Sequence, residues 1–225
     1  MVCPVFLRTG RVCWKMFWGE LRVRTLFLLL GLPESASVEA AKSAYKTLMA
    51  DLDEKHFAKK SAASEQSAKC RKVLEAAYKK ASEKGFSQHD HEEVLAAEGA
   101  GQQTRPRLGQ LCVASGMISM EQLQEAVEAQ VKDRIPLGEI LQAKRFISQA
   151  ELDGLLLGQE IIDVPSACTD PFGKRLILLD LATEEMILIA QMEQKAMGAS
   201  VGVRVAHHGW VAPEILRALG APVPS

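Results

Sequence analysis

The 225 residues carry 27 basic and 28 acidic side chains, a formal net charge of −1, so no strong field invites a nucleic-acid polymer. The length allows two small domains with modest cores. Aromatic residues are scarce at 5%, while Ala, Leu, Glu, Lys and Gln abound from residue 36 onward, which predicts an all-α chain. Five cysteines, Cys3, Cys13, Cys70, Cys112 and Cys168, are odd in number and lack the close pairing of a zinc or redox motif. A disulfide framework is not expected, and a reducing, cytoplasmic setting is.

Residues 1–24 fit no element and read as an N-terminal extension, with Met16 an alternative start. Arg22 and Arg24 precede the apolar run Leu26-Phe27-Leu28-Leu29-Leu30, which suggests a targeting segment. The run is too short to span a bilayer, and Glu34 and Glu39 follow it closely, so a targeting role is disfavoured.

Residues 25–85 read as three helices. The first, on Leu26, Leu29 and Leu30, stops at Gly31-Leu32-Pro33. The second opens at Ser37 and carries Ala41, Ala44, Tyr45, Leu48 and Leu52 at helical spacing. The third spans about 64–84, with Cys70, Val73, Leu74, Ala77, Tyr78 and Ala81 inward. The run at 26–33, Ala44-Tyr45-Lys46-Thr47-Leu48 and Leu74-Glu75-Ala76-Ala77-Tyr78 resemble the J-domain of DnaJ-type co-chaperones. The resemblance implies a three-helix fold and a His-Pro-Asp tripeptide that engages the DnaK chaperone. That tripeptide would fall at Asp53-Glu54-Lys55, where no residue matches. A three-helix interaction or spacer module is therefore expected, with a DnaK co-chaperone as the weaker alternative.

Residues 86–106 turn small and polar and read as a linker, with a short helix at 92–98. His89 and His91 sit two apart, a spacing that does not put both imidazoles on one helix face, so no metal site is expected there.

Residues 107–130 and 136–159 carry one pattern twice, offset by 29: Leu108 with Leu137, Gly109 with Gly138, Ile118 with Ile147, Ser119 with Ser148, Leu123 with Leu152, Val127 with Leu156, Gln130 with Gln159. Gln recurring in register with an apolar framework suggests a site as well as a fold. Gly116 supplies a helix-ending residue able to take φ > 0. Ser119 with Gln122, and Ser148 with Glu151, are capping boxes that open second helices. Each unit is therefore predicted to be an αα hairpin, two of them face to face, with Leu123, Val127, Leu141, Leu152 and Leu156 as core. Arg145 stands where the first unit has Gly116, so either that turn is built differently or Lys144 and Arg145 add charge near the site.

Unit length, the five-residue spacer 131–135, the Arg107-Leu108-Gly109 start and the Gln ends are similar to the N-terminal domain of type II secretion and type IV pilus ATPases, in the GspE/MshE-like branch known as MshEN. The resemblance implies a cyclic di-GMP receptor whose ligand-binding residues are Arg107, Leu108, Gly109, Gln130, Pro136, Leu137, Gly138 and Gln159. The chemistry is compatible. An Arg fork meets guanine O6 and N7, and Gln offers donor and acceptor together. The two Leu supply apolar contact to bases. The two Gly allow close approach of a phosphate or sugar, tight turns being the alternative reading. The ligand's two phosphates would be held with little net positive charge.

The template recurs at Pro171-Phe172-Gly173 and Ser200-Val201-Gly202, predicting a second, degenerate double hairpin over 164–225, structural or partner-binding. Neither unit starts with Arg, Val223 takes the final Gln position, Pro213 suits a first helical turn, and His207-His208 reads as turn surface. No nucleophile, carboxylate pair or Walker loop stands out, so neither catalysis nor a cofactor is expected. The leading expectation is a cytoplasmic cyclic di-GMP receptor signalling through a protein partner bound by the J-like domain or the second pair. The alternative is a nucleotide-free adaptor of a secretion, pilus or motility system.

Overall fold

The computed structural model describes residues 24–33, 35–84, 103–162, 164–165 and 167–222. The chain is all-α, with eleven α-helices among the described residues. The expected helix at 92–98 and the pair His89 and His91 lie outside the described residues. No helix among the described residues is long and apolar enough to cross a membrane.

Three helices come first: α1 (Arg24–Leu30), α2 (Val38–Asp51) and α3 (Ala62–Lys84). The Ser37 hydroxyl caps α2 by accepting from the Ala40 amide at 3.1 Å. Between α2 and α3, Asp53-Glu54-Lys55 build a short 3₁₀ turn in which the Asp53 carboxylate accepts from the Lys55 amide. Tyr45 of α2 stacks on Tyr78 of α3 with ring centroids 4.0 Å apart, and Ser67 Oγ donates to Leu52 O at 2.6 Å.

The middle hairpins are α4 (Leu108–Ala114) with α5 (Met120–Asp133), and α6 (Leu137–Ala143) with α7 (Gln149–Ile161). Two residues of the expected linker, Gln103 and Thr104, form a strand β1 antiparallel to β2 (Val164–Pro165), which closes the ends of this segment on each other. α4 packs against α7 and α5 against α6, so each short helix lies on the long helix of the other hairpin. The last four helices are α8 (Pro171–Leu178), α9 (Glu184–Met197), α10 (Val201–His207) and α11 (Pro213–Ala218).

One local plan ends the short helices α4, α6, α8 and α10, and also α1 and α11 at Gly31 and Gly220. Gly116, Arg145, Asp180 and Gly209 each take a left-handed φ, at 73°, 58°, 57° and 70°. The following amide then bonds back to the carbonyl five residues earlier: Met117 to Cys112, Phe146 to Leu141, Leu181 to Leu176 and Trp210 to Val205. Arg145 therefore makes the same turn as Gly116, at the steric cost of a Cβ in that region. The capping boxes form as the sequence specifies. The Ser119 amide donates to Gln122 Oε1 at 2.8 Å and the Ser148 amide to Glu151 Oε2 at 2.6 Å, with the hydroxyls accepting in return.

Two hydrophobic cores result. One joins Leu26, Phe27, Leu29, Leu52 and Leu74 to Leu176, Leu179, Ile187, Ile215 and Leu216. Segments far apart in sequence, 24–84 and 168–221, thus share one apolar interior. The other gathers Cys112, Val113, Ile118, Ala126, Leu141 and Ile147 of the middle hairpins with Ile189 and Met192 of α9. α9 supplies residues to both, and Trp210 packs against both.

Polar groups tie the first core across that sequence gap. Gln66 Nε2 donates to Trp210 O at 3.1 Å while Gln66 Oε1 accepts from the Ala212 amide at 2.8 Å. Arg175, only 6% exposed, donates from Nε to Leu29 O and from Nη1 to Leu219 O, each at 2.7 Å. These carbonyls sit at the C-terminal ends of α1 and α11, where the partial negative charge of a helix suits a cation. Burial pushes the guanidinium down to about 10, which leaves it charged at neutral pH.

Candidate functional site

The residues at the starts of the middle hairpins meet. A Cβ built on Gly138 would lie 3.7 Å from Leu108 Cδ2, and Gln159 Nε2 donates to Pro106 O at 2.7 Å. The end of the second unit therefore clasps the beginning of the first. Leu108 and Leu137 are half-buried and pack on the edge of the second core, and Gln130 is half-buried near the end of α5. Pro136 is exposed and precedes α6, with its carbonyl accepting from the Ile140 amide.

Gly109 and Gly138 serve neither tight turns nor exposed backbone. Both are buried in first turns of helices, and the close approach is between helices of one hairpin. A Cβ at Gly109 would come within 2.6 Å of Leu123 Cδ1, and one at Gly138 within 3.1 Å of both methyl groups of Leu152. Gly173 repeats the arrangement, with Ile187 Cγ2 at 2.5 Å. In each case the partner lies 14 residues on, which explains why Gly recurs at this register even where no ligand is expected.

Arg107 precedes α4. Its backbone amide donates to Gln110 Oε1 at 2.8 Å, and its side chain makes no cap. The side chain is 73% exposed, and Nη2 lies 3.2 Å from Glu185 Oε2 in the first turn of α9. Lys144 pairs with Glu125 at 2.6 Å, so its charge is already met.

Val127 and Leu156, expected in the core, are 41% and 45% exposed. The face of α5 that meets the core is filled by Leu123 and Ala126, and that of α7 by Leu152 and Leu155. One position further round each helix, about 100° on, points away from it. Val127 and Leu156 precede Gln130 and Gln159 by three, hence neighbour them on the helix surface. They are the site candidates that sequence reasoning assigned to packing. The signal for them was present: two equivalent apolar residues in excess of what the core stripe needs. Eight of the nine large apolar side chains exposed among the described residues lie in 117–162, including Val131, Leu157 and Ile161.

None of the eight candidate residues lines a cavity of about 960 Å³ between α1, α2, α8 and the end of α11, bordered by Leu28, Thr47, Phe172 and Arg175. Of the candidates, Gly109 and Gly138 are buried, Leu108, Leu137, Gln130 and Gln159 half-buried, and Arg107 and Pro136 exposed. Elsewhere, His208 is not simple turn surface. Its Nε2 lies 2.7 Å from the buried Glu193 carboxylate and its ring stacks on Trp210 at 4.2 Å. Among the described residues no group of three or more His, Cys, Asp or Glu could hold a metal ion. Burial pushes the Cys70 thiol up to about 12, and those of Cys112 and Cys168 up to about 11.

Comparison of the chain with protein-family models, curated proteins and solved structures finds no match.

Proposed function

We propose that this protein binds cyclic di-GMP across the face formed by the starts of α4 and α6 and the C-terminal halves of α5 and α7. The observation that carries the reading is the contact between the two units at positions of the repeated pattern. Leu108 lies against Gly138, Gln159 is bonded to the Arg107-preceding carbonyl, and Val127 and Leu156 stand exposed beside Gln130 and Gln159. A ligand built of two identical halves is matched by two related half-sites. In this reading Val127 and Leu156, with Leu108 and Leu137, contact base faces, the two Gln bond base or sugar edges, and Arg107 reads one guanine through O6 and N7. Pro136 stands where the first unit has Arg107, so the halves are unequal and one guanine is held by fewer polar contacts. Binding changes helix packing, with no bond made or broken, and a protein partner reads the result.

Isothermal titration of cyclic di-GMP into the full chain tests this, beside Arg107→Ala and with GTP and cyclic di-AMP as controls. The full chain is required because α9 supplies Ile189 and Met192 to the core beneath the site. Selective heat from the wild type, lost in the variant, supports the reading; a folded wild type without heat refutes it.

A second reading, a nucleotide-free adaptor, is favoured by Val131, Leu157 and Ile161, exposed apolar residues beyond those a dinucleotide would cover. Substituting all three by Ser, with unchanged nucleotide binding, separates docking from ligand recognition.

A further inference from the structure

We propose that Glu185 is a built-in competitor for Arg107 that restrains ligand binding and ties occupancy of the site to α9. The inference rests on the cyclic di-GMP reading. Glu185 approaches Nη2, at 3.2 Å. That nitrogen belongs to both edges of a guanidinium that can donate two parallel hydrogen bonds, Nε with Nη2 and Nη1 with Nη2. Each of the two Nη2 hydrogens serves one of these forks, so a carboxylate held there occupies one and leaves guanine O6 and N7 only the other. The same carboxylate cancels positive charge on a face that must accept a dianion.

The two partners are unequally held. Arg107 is mostly exposed, whereas Glu185 is only 26% exposed in the first turn of a helix, where the backbone dipole favours an anion. α9 is fixed by burial of Ile187 and Ala190 in one core and of Ile189 and Met192 in the other. A ligand that draws Arg107 away therefore leaves Glu185 in place without its partner, at the start of a helix shared by both cores. By reciprocity, whatever strengthens the Arg107–Glu185 pair weakens ligand binding, and ligand weakens the pair.

The test compares full-length wild type, Glu185→Gln and Arg107→Ala by titration with cyclic di-GMP, each checked for folding by thermal melting. Glu185→Gln is expected to bind about two- to fivefold tighter, the scale of an exposed ion pair, with the gap closing as salt rises. Hydrogen exchange in the first turn of α9 is expected to rise on ligand saturation in the wild type and to change less in Glu185→Gln. Binding by Glu185→Gln alone would be the same effect at larger size. Wild-type binding with Glu185→Gln equal or weaker overturns the competition and leaves the receptor reading standing. No binding by either folded protein removes both.

Discussion

Replacing Arg175 with Met should unlock the first core at a point that joins distant parts of the chain. The substitution keeps an unbranched apolar stem, so little volume is lost. It removes the donors that this side chain gives to Leu29 O and Leu219 O, at 2.7 Å each and 146 and 44 residues away in sequence. A buried acceptor left without a donor costs about 1–3 kcal/mol, hence about 2–6 kcal/mol for two. Leu219 and the guanidinium border the 960 Å³ cavity, so water can replace part of what is lost, and the lower part of that range, about 2–4 kcal/mol, is expected. Urea unfolding of wild type and variant measures the difference. Hydrogen exchange should locate it, with α1 amides losing protection although the substitution lies in α8. Arg175→Lys should fall between, since an ammonium on a different stem does not reproduce the fork. A loss below about 1 kcal/mol for Arg175→Met, with α1 still protected, would refute the view that this cation braces two helix ends.

Gly173→Ala should lower the melting temperature more than Gly138→Ala. A Cβ at Gly173 meets the stiff, buried Ile187 at 2.5 Å, against 3.1 Å to the methyl groups of Leu152 at Gly138. Overpacking of about 1–3 kcal/mol outweighs the gain of about 1 kcal/mol in helix propensity, and an unchanged melt would show that the helices part freely. Arg145→Gly should stabilise by about 0.5–1 kcal/mol in urea, because it relieves a left-handed φ of 58° while adding some unfolded-state freedom; a loss of stability would show that the Arg145 side chain contributes more than its strain. The three buried thiols have folded pKa values raised from 9.0 to about 11–12, so the folded state holds their protons after the unfolded chain has released them. Their contribution is complete below about pH 9 and declines above it, so stability should fall as pH rises from 9 toward 11. Substituting Cys70, Cys112 and Cys168 by Ala or Ser should flatten that part of the curve.

What the sequence made legible was mostly what neighbouring residues decide. Ser119 with Gln122 and Ser148 with Glu151 specify helix starts over four residues, and Gly116 specifies a helix end by itself. Arg145 shows the limit, since the local rule disfavours its backbone and the packing of the two hairpin helices imposes it. The role of Gly109 depended on Leu123, 14 residues away, and could be read only as a turn or a ligand contact until the helices were placed. The exposure of Val127 and Leu156 followed from how little of each apolar stripe the core consumes, which periodicity alone does not state. The role of Arg175 was not legible in the sequence, because both of its acceptors are remote.

Arg107 differs from all of these. At the corresponding position before α10, Ser200 caps the helix with its hydroxyl, whereas Arg107 makes no side-chain cap and Gln110 bonds back to its amide instead. A capping residue there would stabilise by about 1 kcal/mol. The first hairpin forgoes that cap for a cation that reaches across to Glu185, at the one unit start in the chain that carries Arg. Pro136 and Pro171 hold the equivalent positions with a fixed backbone and Ser200 with a cap, so a unit start given to Arg is where function is expected to have displaced stability. Arg107 is therefore the position at which the proposed site is best tested, and Arg107→Ser is a sharper probe than Arg107→Ala. Ser should raise stability by restoring a cap while abolishing ligand binding. A variant that became more stable and still bound cyclic di-GMP would show that the arginine is dispensable to the site.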